Sequence, residues 1–240
     1  MRLKVFESPE ALADRSAAWI LEVIESKPDA LCCFAAGFTQ NQTYEKLARA
    51  VKRRHVPVDR LRIIGLDEWV SLDGGDEGSC RTYIDERIMR PLELGVDQML
   101  MFFDGKAEPA AQCAHADSLL DTEGPIDLLV LGVGMNGHLG FNEPHSDLNL
   151  RAHLQALTET SIAAGQKYFP EARILSRGLT LGLHDLFKAR RILVQAVGAH
   201  KAPVVKAILA GIPDPACPAS LLNNVHATVY ADKAARGCDR

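Results

Sequence analysis

Apolar residues in this chain come in short unbroken runs, separated by longer stretches in which they recur every three or four positions. The runs at 30–36 (ALCCFAA), 61–66 (LRIIGL), 128–131 (LLVL), 191–198 (RILVQAVG) and the HATVYAD segment near the end read as strands. A continuous apolar run of this length suits a strand buried on both faces, usually in a parallel sheet. Between them, Tyr44, Leu47, Ala48 and Val51 share one face of a helix predicted from Thr43 (TYEKLARAVKRRH). Further helices are predicted over 9–25, from an N-cap at Ser79 through RTYIDERIM to a stop near Pro91, over 108–120 and over 201–209. Strands that alternate with helices argue an α/β fold, doubly wound and Rossmann-like, with a mostly parallel sheet and helices on both faces. The 240 residues read as a single domain, 1–240.

In such sheets ligands bind beyond the carboxyl ends of the strands. Four polar loops follow predicted strands: 37–42, Asp67 with Glu68, 135–143 and 199–201. Parallel strands would bring all four to one crevice. The richest is the stretch 126–144, IDLLVLGVGMNGHLGFNEP, where glycines free the backbone around His138, Glu143, Asn136 and Asn142. An imidazole, a carboxylate and two amides move protons and hold hydroxyls at neutral pH. Asp67 ends a strand against Trp69. Partial desolvation there would raise its basicity and fit it to abstract a carbon-bound proton. Capping the next turn, or facing solvent, is an equally good use of Asp67 or Glu68. His138 and Glu143 lie five residues apart in a loop, so spacing alone does not make them touch. Lys201 opens a helix after Gly198 and suits a point-charge partner for a phosphate. Strand, Gly37, polar loop and helix form an anion-cradling arrangement, because amides at a helix start carry partial positive charge.

Composition narrows the classes. With 47% hydrophobic and 24% charged residues the chain has the balance of an ordinary globular protein. Its formal net charge of −4 argues against a nucleic-acid or acidic-membrane partner, which would recruit a basic patch. The Gly37 loop has neither GxxxxGK[ST] nor GxGxxG, and although Gly132, Val133 and Gly134 give GxG, the residues after them, MNGHLG, bring in a histidine and not a nucleotide-binding helix start, so ATP and NAD cofactors have no support; no HExxH or paired CxxC points to a metal. Cys32, Cys33, Cys80, Cys113, Cys217 and Cys238 are scattered, which reads as buried or incidental thiols rather than disulfides or zinc ligands. No apolar stretch approaches the roughly 20 residues of a membrane span, and the start lacks a signal-peptide pattern. The expected location is cytoplasmic.

Taken in order along the chain, AAGFTQNQTY, LDEWVSL (66–72), GVGMNGHLGFNEP (132–144) and GAHK ending at Lys201 resemble the hexosamine-6-phosphate deaminase (isomerase) family. LDEW combined with NGHLG is most similar to the galactosamine-6-phosphate branch. The resemblance implies conversion of an aminosugar 6-phosphate to the 2-keto sugar 6-phosphate plus ammonia. It implies no cofactor and no metal, a small sugar phosphate as partner, and leaves a homo-oligomer open. By the same resemblance, Asp67 moves a proton between carbons 2 and 1 of the opened sugar. His138, supported by Glu143 and oriented by Asn136, delivers a proton to the ring oxygen. Gly37, Phe38, Thr39, Thr43, Lys167 and Lys201 would hold the phosphate.

Three departures stand out. Asn136 replaces the aspartate of the best-studied hexameric members, and Lys167 replaces an arginine, keeping charge but losing the bidentate fork. AGFTQ replaces TGGTP, with Phe38 adding bulk where amides must approach an oxygen. Two other readings follow: a 6-phosphogluconolactonase-like hydrolase, which would not be expected to carry FNEP, and a noncatalytic sugar-phosphate binder. A binder has no need for Asp67, His138 and Glu143 together.

Overall fold

The apolar runs become the interior strands of a seven-stranded sheet in the computed structural model, which describes residues 1–72 and 75–237. Its order is β1-β10-β9-β6-β2-β3-β5, and every neighbouring pair is parallel. These strands are β1 (Arg2–Phe6), β2 (Leu31–Phe34), β3 (Arg62–Ile64), β5 (Met99–Met101), β6 (Leu128–Gly132), β9 (Arg191–Ala196) and β10 (Ala227–Asp232). Alternate residues of one strand enter two different cores. Cys33, Leu129 and Leu131 pack with Leu120 of α4 (Pro109–Glu123), Leu186 of α6 (Leu183–Lys188) and Val205 of α7 (Ala202–Ala210). Cys32, Phe34 and Val130 pack with Ile20 of α1 (Pro9–Ser26) and Leu47 of α2 (Asn41–Arg54). Helices therefore cover both faces, as the alternation of patterns predicted. Each fully buried Leu or Ile in these layers contributes roughly 1.5–3 kcal/mol of apolar transfer.

A second sheet, antiparallel and three-stranded, stands apart in the order β4-β8-β7. It consists of β4 (Asp67–Trp69), β7 (His153–Ala156) and β8 (Arg177–Thr180). The sequence reading placed Asp67 and Glu68 in a loop; they lie instead in β4, with Asp67 opposite Thr180. Three residues of mixed polarity carry no period of their own, and partner strands impose the extended state. The edge strand β1 was missed for a related reason, since its outward residues face water and break the apolar run. Trp69, Leu72, Cys80, Phe141, Phe169 and Leu175 form a third cluster under this small sheet.

Helix starts follow their cap signals. Ser8 accepts from the Ala11 amide ahead of Pro9, and Ser79 accepts from Thr82 at the start of α3 (Cys80–Ile84), as predicted. From Asp85 to Met89 the chain widens into a π turn before Pro91. The remaining helices are α5 (Glu159–Gly165), capped by Thr158, and α8 (Lys233–Arg236). Among the described residues Cys32, Cys33, Cys80, Cys113 and Cys217 are free thiols; Cys238 lies outside them. No described helix is long and apolar enough to cross a membrane.

Candidate active site

The two central neighbours, β2 and β6, lead the chain in opposite directions across the sheet, one toward β3 and the other toward β9. Loops leaving their carboxyl ends diverge and open a crevice between them. A cavity of about 750 Å³ lies there, lined by Gly37, Phe38, Asp67, His138, Lys167 and Lys201 among others. Loops predicted to converge do converge.

The adjacent carboxylates of β4 divide two tasks between them. Glu68 is buried and accepts four hydrogen bonds: from the amides of Trp69 (2.9 Å), Cys80 (3.1 Å) and Arg81 (3.1 Å), and from Ser79 Oγ (2.7 Å). It satisfies the first-turn amides of α3, a capping role. Asp67, on the opposite face of the strand, lines the cavity. Burial pushes its carboxyl up to about 7; a hydrogen bond with the Cys80 thiol opposes the shift and the neighbouring Glu68 charge adds to it. A carboxylate of that basicity suits proton abstraction near neutral pH.

Across the cavity, His138 packs against a glycine. A Cβ at Gly134 would lie 2.5 Å from the imidazole, so only glycine admits the ring here. Gly137, between them, has φ +84°, a conformation glycine adopts without strain. His138 Nδ1 lies 2.9 Å from Ser161 Oγ and 3.7 Å from Glu143 Oε2. Its nearest partner is therefore the serine, with Glu143 behind. Glu143 is buried and accepts from Asn136 Nδ2 (2.7 Å), the Thr158 amide (3.2 Å) and Thr158 Oγ1 (3.1 Å). Burial alone would raise its pKa, but hydrogen bonds with His138, Ser161 and Asn136 outweigh it and bring the group down to about 2. Glu143 is ionised at neutral pH.

Asn136, expected to orient the imidazole, directs its hydrogen bonds elsewhere than to the ring. Its amide nitrogen holds Glu143 and Thr158, and its carbonyl accepts from the His138 backbone amide at 3.3 Å. Neither Asn136 nor Glu143 lines the cavity.

At the other end Gly37, Phe38, Thr39, Lys167 and Lys201 line the cavity, and Asn41 joins them. Thr43 is a correction. It is fully buried, its Oγ1 accepts from Gln195 Nε2 at 2.8 Å, and neither residue lines the cavity. The helix starts at Asn41 rather than Thr43, which turns Thr43 onto the sheet-facing side. Phe38 is held at the cavity wall. Its ring is half-exposed and stacks on Tyr168, with centroids 4.9 Å apart and planes 8° apart. Lys167 Nζ sits 5.3 Å from both ring centroids, a cation–π arrangement. Lys201 is pushed down to about 8 by burial and by the Lys167 charge, and burial lowers Lys167 as well. Two ammonium groups that repel one another are an arrangement whose strain an oxyanion between them would relieve.

Sequence reading missed Ser161, Thr158 and Tyr83. Tyr83 donates to the Gly37 carbonyl at 2.7 Å and ties the helix after β4 to the glycine loop. Thr158 and Ser161 carried a visible cap pattern, T-x-x-S, fulfilled by the Ser161 amide on Thr158 Oγ1. Their contacts with a loop more than a dozen residues earlier left no local trace.

This fold and cavity define a class. The profile of glucosamine-6-phosphate isomerases/6-phosphogluconolactonase matches residues 7–231, and the chain belongs to that family. Within it, the chain is 35% identical to the putative deaminase AgaI of Escherichia coli K12, over 92% of this chain and 87% of that protein. It is 34% identical to the glucosamine-6-phosphate deaminase of Bacillus velezensis, over 96% of each. A solved monomeric glucosamine-6-phosphate deaminase superposes with a TM-score of 0.95 at 29% identity, covering 99% of this chain and all of that one. The 6-phosphogluconolactonase of Trypanosoma brucei superposes at 0.76 with 21% identity, covering 100% and 98% of the two chains; it shares the fold.

Proposed function

We propose that the chain is an aminosugar-6-phosphate deaminase that converts galactosamine 6-phosphate, or less readily glucosamine 6-phosphate, to the ketose 6-phosphate and ammonia. The observation that carries this reading is Asp67: a cavity-facing carboxyl pushed up to about 7, across from an imidazole with an ionised carboxylate behind it. The deaminase relatives support the reaction class. The galactosamine preference rests on the LDEW and NGHLG segments alone.

The phosphate would sit between the Gly37–Thr39 loop and the ammonium groups of Lys167 and Lys201. Binding energy from that nonreacting end orients the sugar toward Asp67. His138 delivers a proton to the ring oxygen and the pyranose opens to the aldehyde. Asp67 takes the proton from carbon 2 as the ammonium gives up a proton and the aldehyde oxygen gains one, producing an enolamine, and Asp67 then returns its proton to carbon 1. The resulting protonated imine at carbon 2 adds water and loses ammonia, so one water is consumed for each ammonia released. The residues supply proton transfers while water is the only other reactant, and the enzyme works without a cofactor in the cytoplasm, on a small sugar phosphate.

Ammonium release from the two aminosugar phosphates, with Asp67→Asn as control, tests the proposal. Release that the substitution abolishes supports it. A folded protein that binds a sugar phosphate and releases none overturns it in favour of a binder.

A further inference from the structure

We infer that Ser161 fixes the tautomer of His138, holding a proton on Nδ1 and leaving Nε2 as the nitrogen that exchanges protons at the cavity. The inference rests on the deaminase reading for its consequence, but its geometry stands independently. Ser161 is buried, and its Oγ lies 2.9 Å from His138 Nδ1. A hydroxyl carries one proton, so Ser161 either donates to Nδ1 or accepts from it.

Glu143 decides which. It is a buried carboxylate that only accepts; Thr158 Oγ1 lies 3.1 Å from it and 3.2 Å from Ser161 Oγ. Thr158 gives its single hydroxyl proton to that carboxylate, so the contact between the two hydroxyls is donated by Ser161. With its proton directed to Thr158, and through it toward Glu143, Ser161 Oγ presents lone pairs to the imidazole and Nδ1 carries the hydrogen. The carboxylate 3.7 Å from Nδ1 favours an N–H on that side as well. Neutral His138 then offers a lone pair at Nε2, and its imidazolium offers an N–H there. Nδ1–H is kept in both states, so the ring changes charge without breaking its supporting bond. A partner on one nitrogen sets the role of the other.

Ser161 acts through the ring and is a positioning residue. Its place on α5, in the same segment as Lys167, puts imidazole and phosphate contact on one piece of backbone.

The test is nitrogen-15 NMR of the imidazoles in the full chain, with a His138→Gln spectrum assigning the signal. In the wild type the neutral ring should appear as the Nδ1–H form. In Ser161→Ala the Nε2–H form should gain population, kcat should fall about 10- to 100-fold, and KM should change little. Ser161→Thr, which keeps the hydroxyl, should restore both signals. A wild-type ring in the Nε2–H form overturns the inference whether or not the protein releases ammonium. So does Ser161→Ala with unchanged tautomer and kcat. If Ser161→Ala fails to fold, the wild-type and Ser161→Thr spectra still decide.

Discussion

Replacing Glu68 by alanine removes one carboxylate and orphans four donors at once. Those donors are the Trp69, Cys80 and Arg81 amides and the Ser79 hydroxyl, all directed at a fully buried side chain. Each donor left buried and unsatisfied costs about 1–3 kcal/mol. Water entering the vacated space recovers part of this, and ionising a buried carboxylate is itself unfavourable, as the upward shift of Glu68 to about 7 shows. The balance is a loss of about 3–6 kcal/mol, a large share of the roughly 5–15 kcal/mol that stabilises a typical domain. Asp67→Asn, one residue earlier, should behave in the opposite way. It keeps the shape and removes a carboxyl that burial disfavours, so stability should change by under about 1 kcal/mol while turnover falls at least about 100-fold. Urea denaturation followed by circular dichroism gives the two stabilities, and ammonium release gives the two rates. Glu68→Ala within 1 kcal/mol of the wild type, or Asp67→Asn with near-normal turnover, would refute the division of labour between the two carboxylates.

Two further expectations follow from the site. The base form of Asp67 grows as pH rises through about 7, and the ammonium of Lys201 is lost as pH rises through about 8. kcat/KM should therefore trace a narrow bell with its maximum between the two, and Lys167→Met should move the alkaline limb upward by removing a repelling charge; a flat profile would contradict both shifts. Thr43→Val should leave KM unchanged and cost about 1–2 kcal/mol in urea, since its hydroxyl serves Gln195 and not the phosphate; a KM raised tenfold or more would return Thr43 to the cavity.

The interior of the parallel sheet was legible because both faces of β2 and β6 are buried, so every position in LCCF or LLVL had to be apolar. The small antiparallel sheet was not, because β4, β7 and β8 draw their extended shape from one another and not from a local period. At the site, Asp67, His138 and Lys201 could be placed from their positions after strands. Which of Asp67 and Glu68 faced the cavity could not, since that depends on the donors α3 presents. Asn136 and Thr43 show the same limit: each is close to the cavity in sequence, yet side-chain direction sends one to Glu143 and the other to Gln195. The stacking of Phe38 could not be read either, because its partner, Tyr168, lies 130 residues further on, and only tertiary structure brings the two rings together.

The most direct test of the central claim is ammonium release from galactosamine 6-phosphate and glucosamine 6-phosphate, measured side by side with wild-type protein and Asp67→Asn. The account predicts release from both, faster from the galactosamine epimer, and none above background from the variant. Folded wild-type protein that releases no ammonium from either substrate, or a variant as active as the wild type, would contradict it.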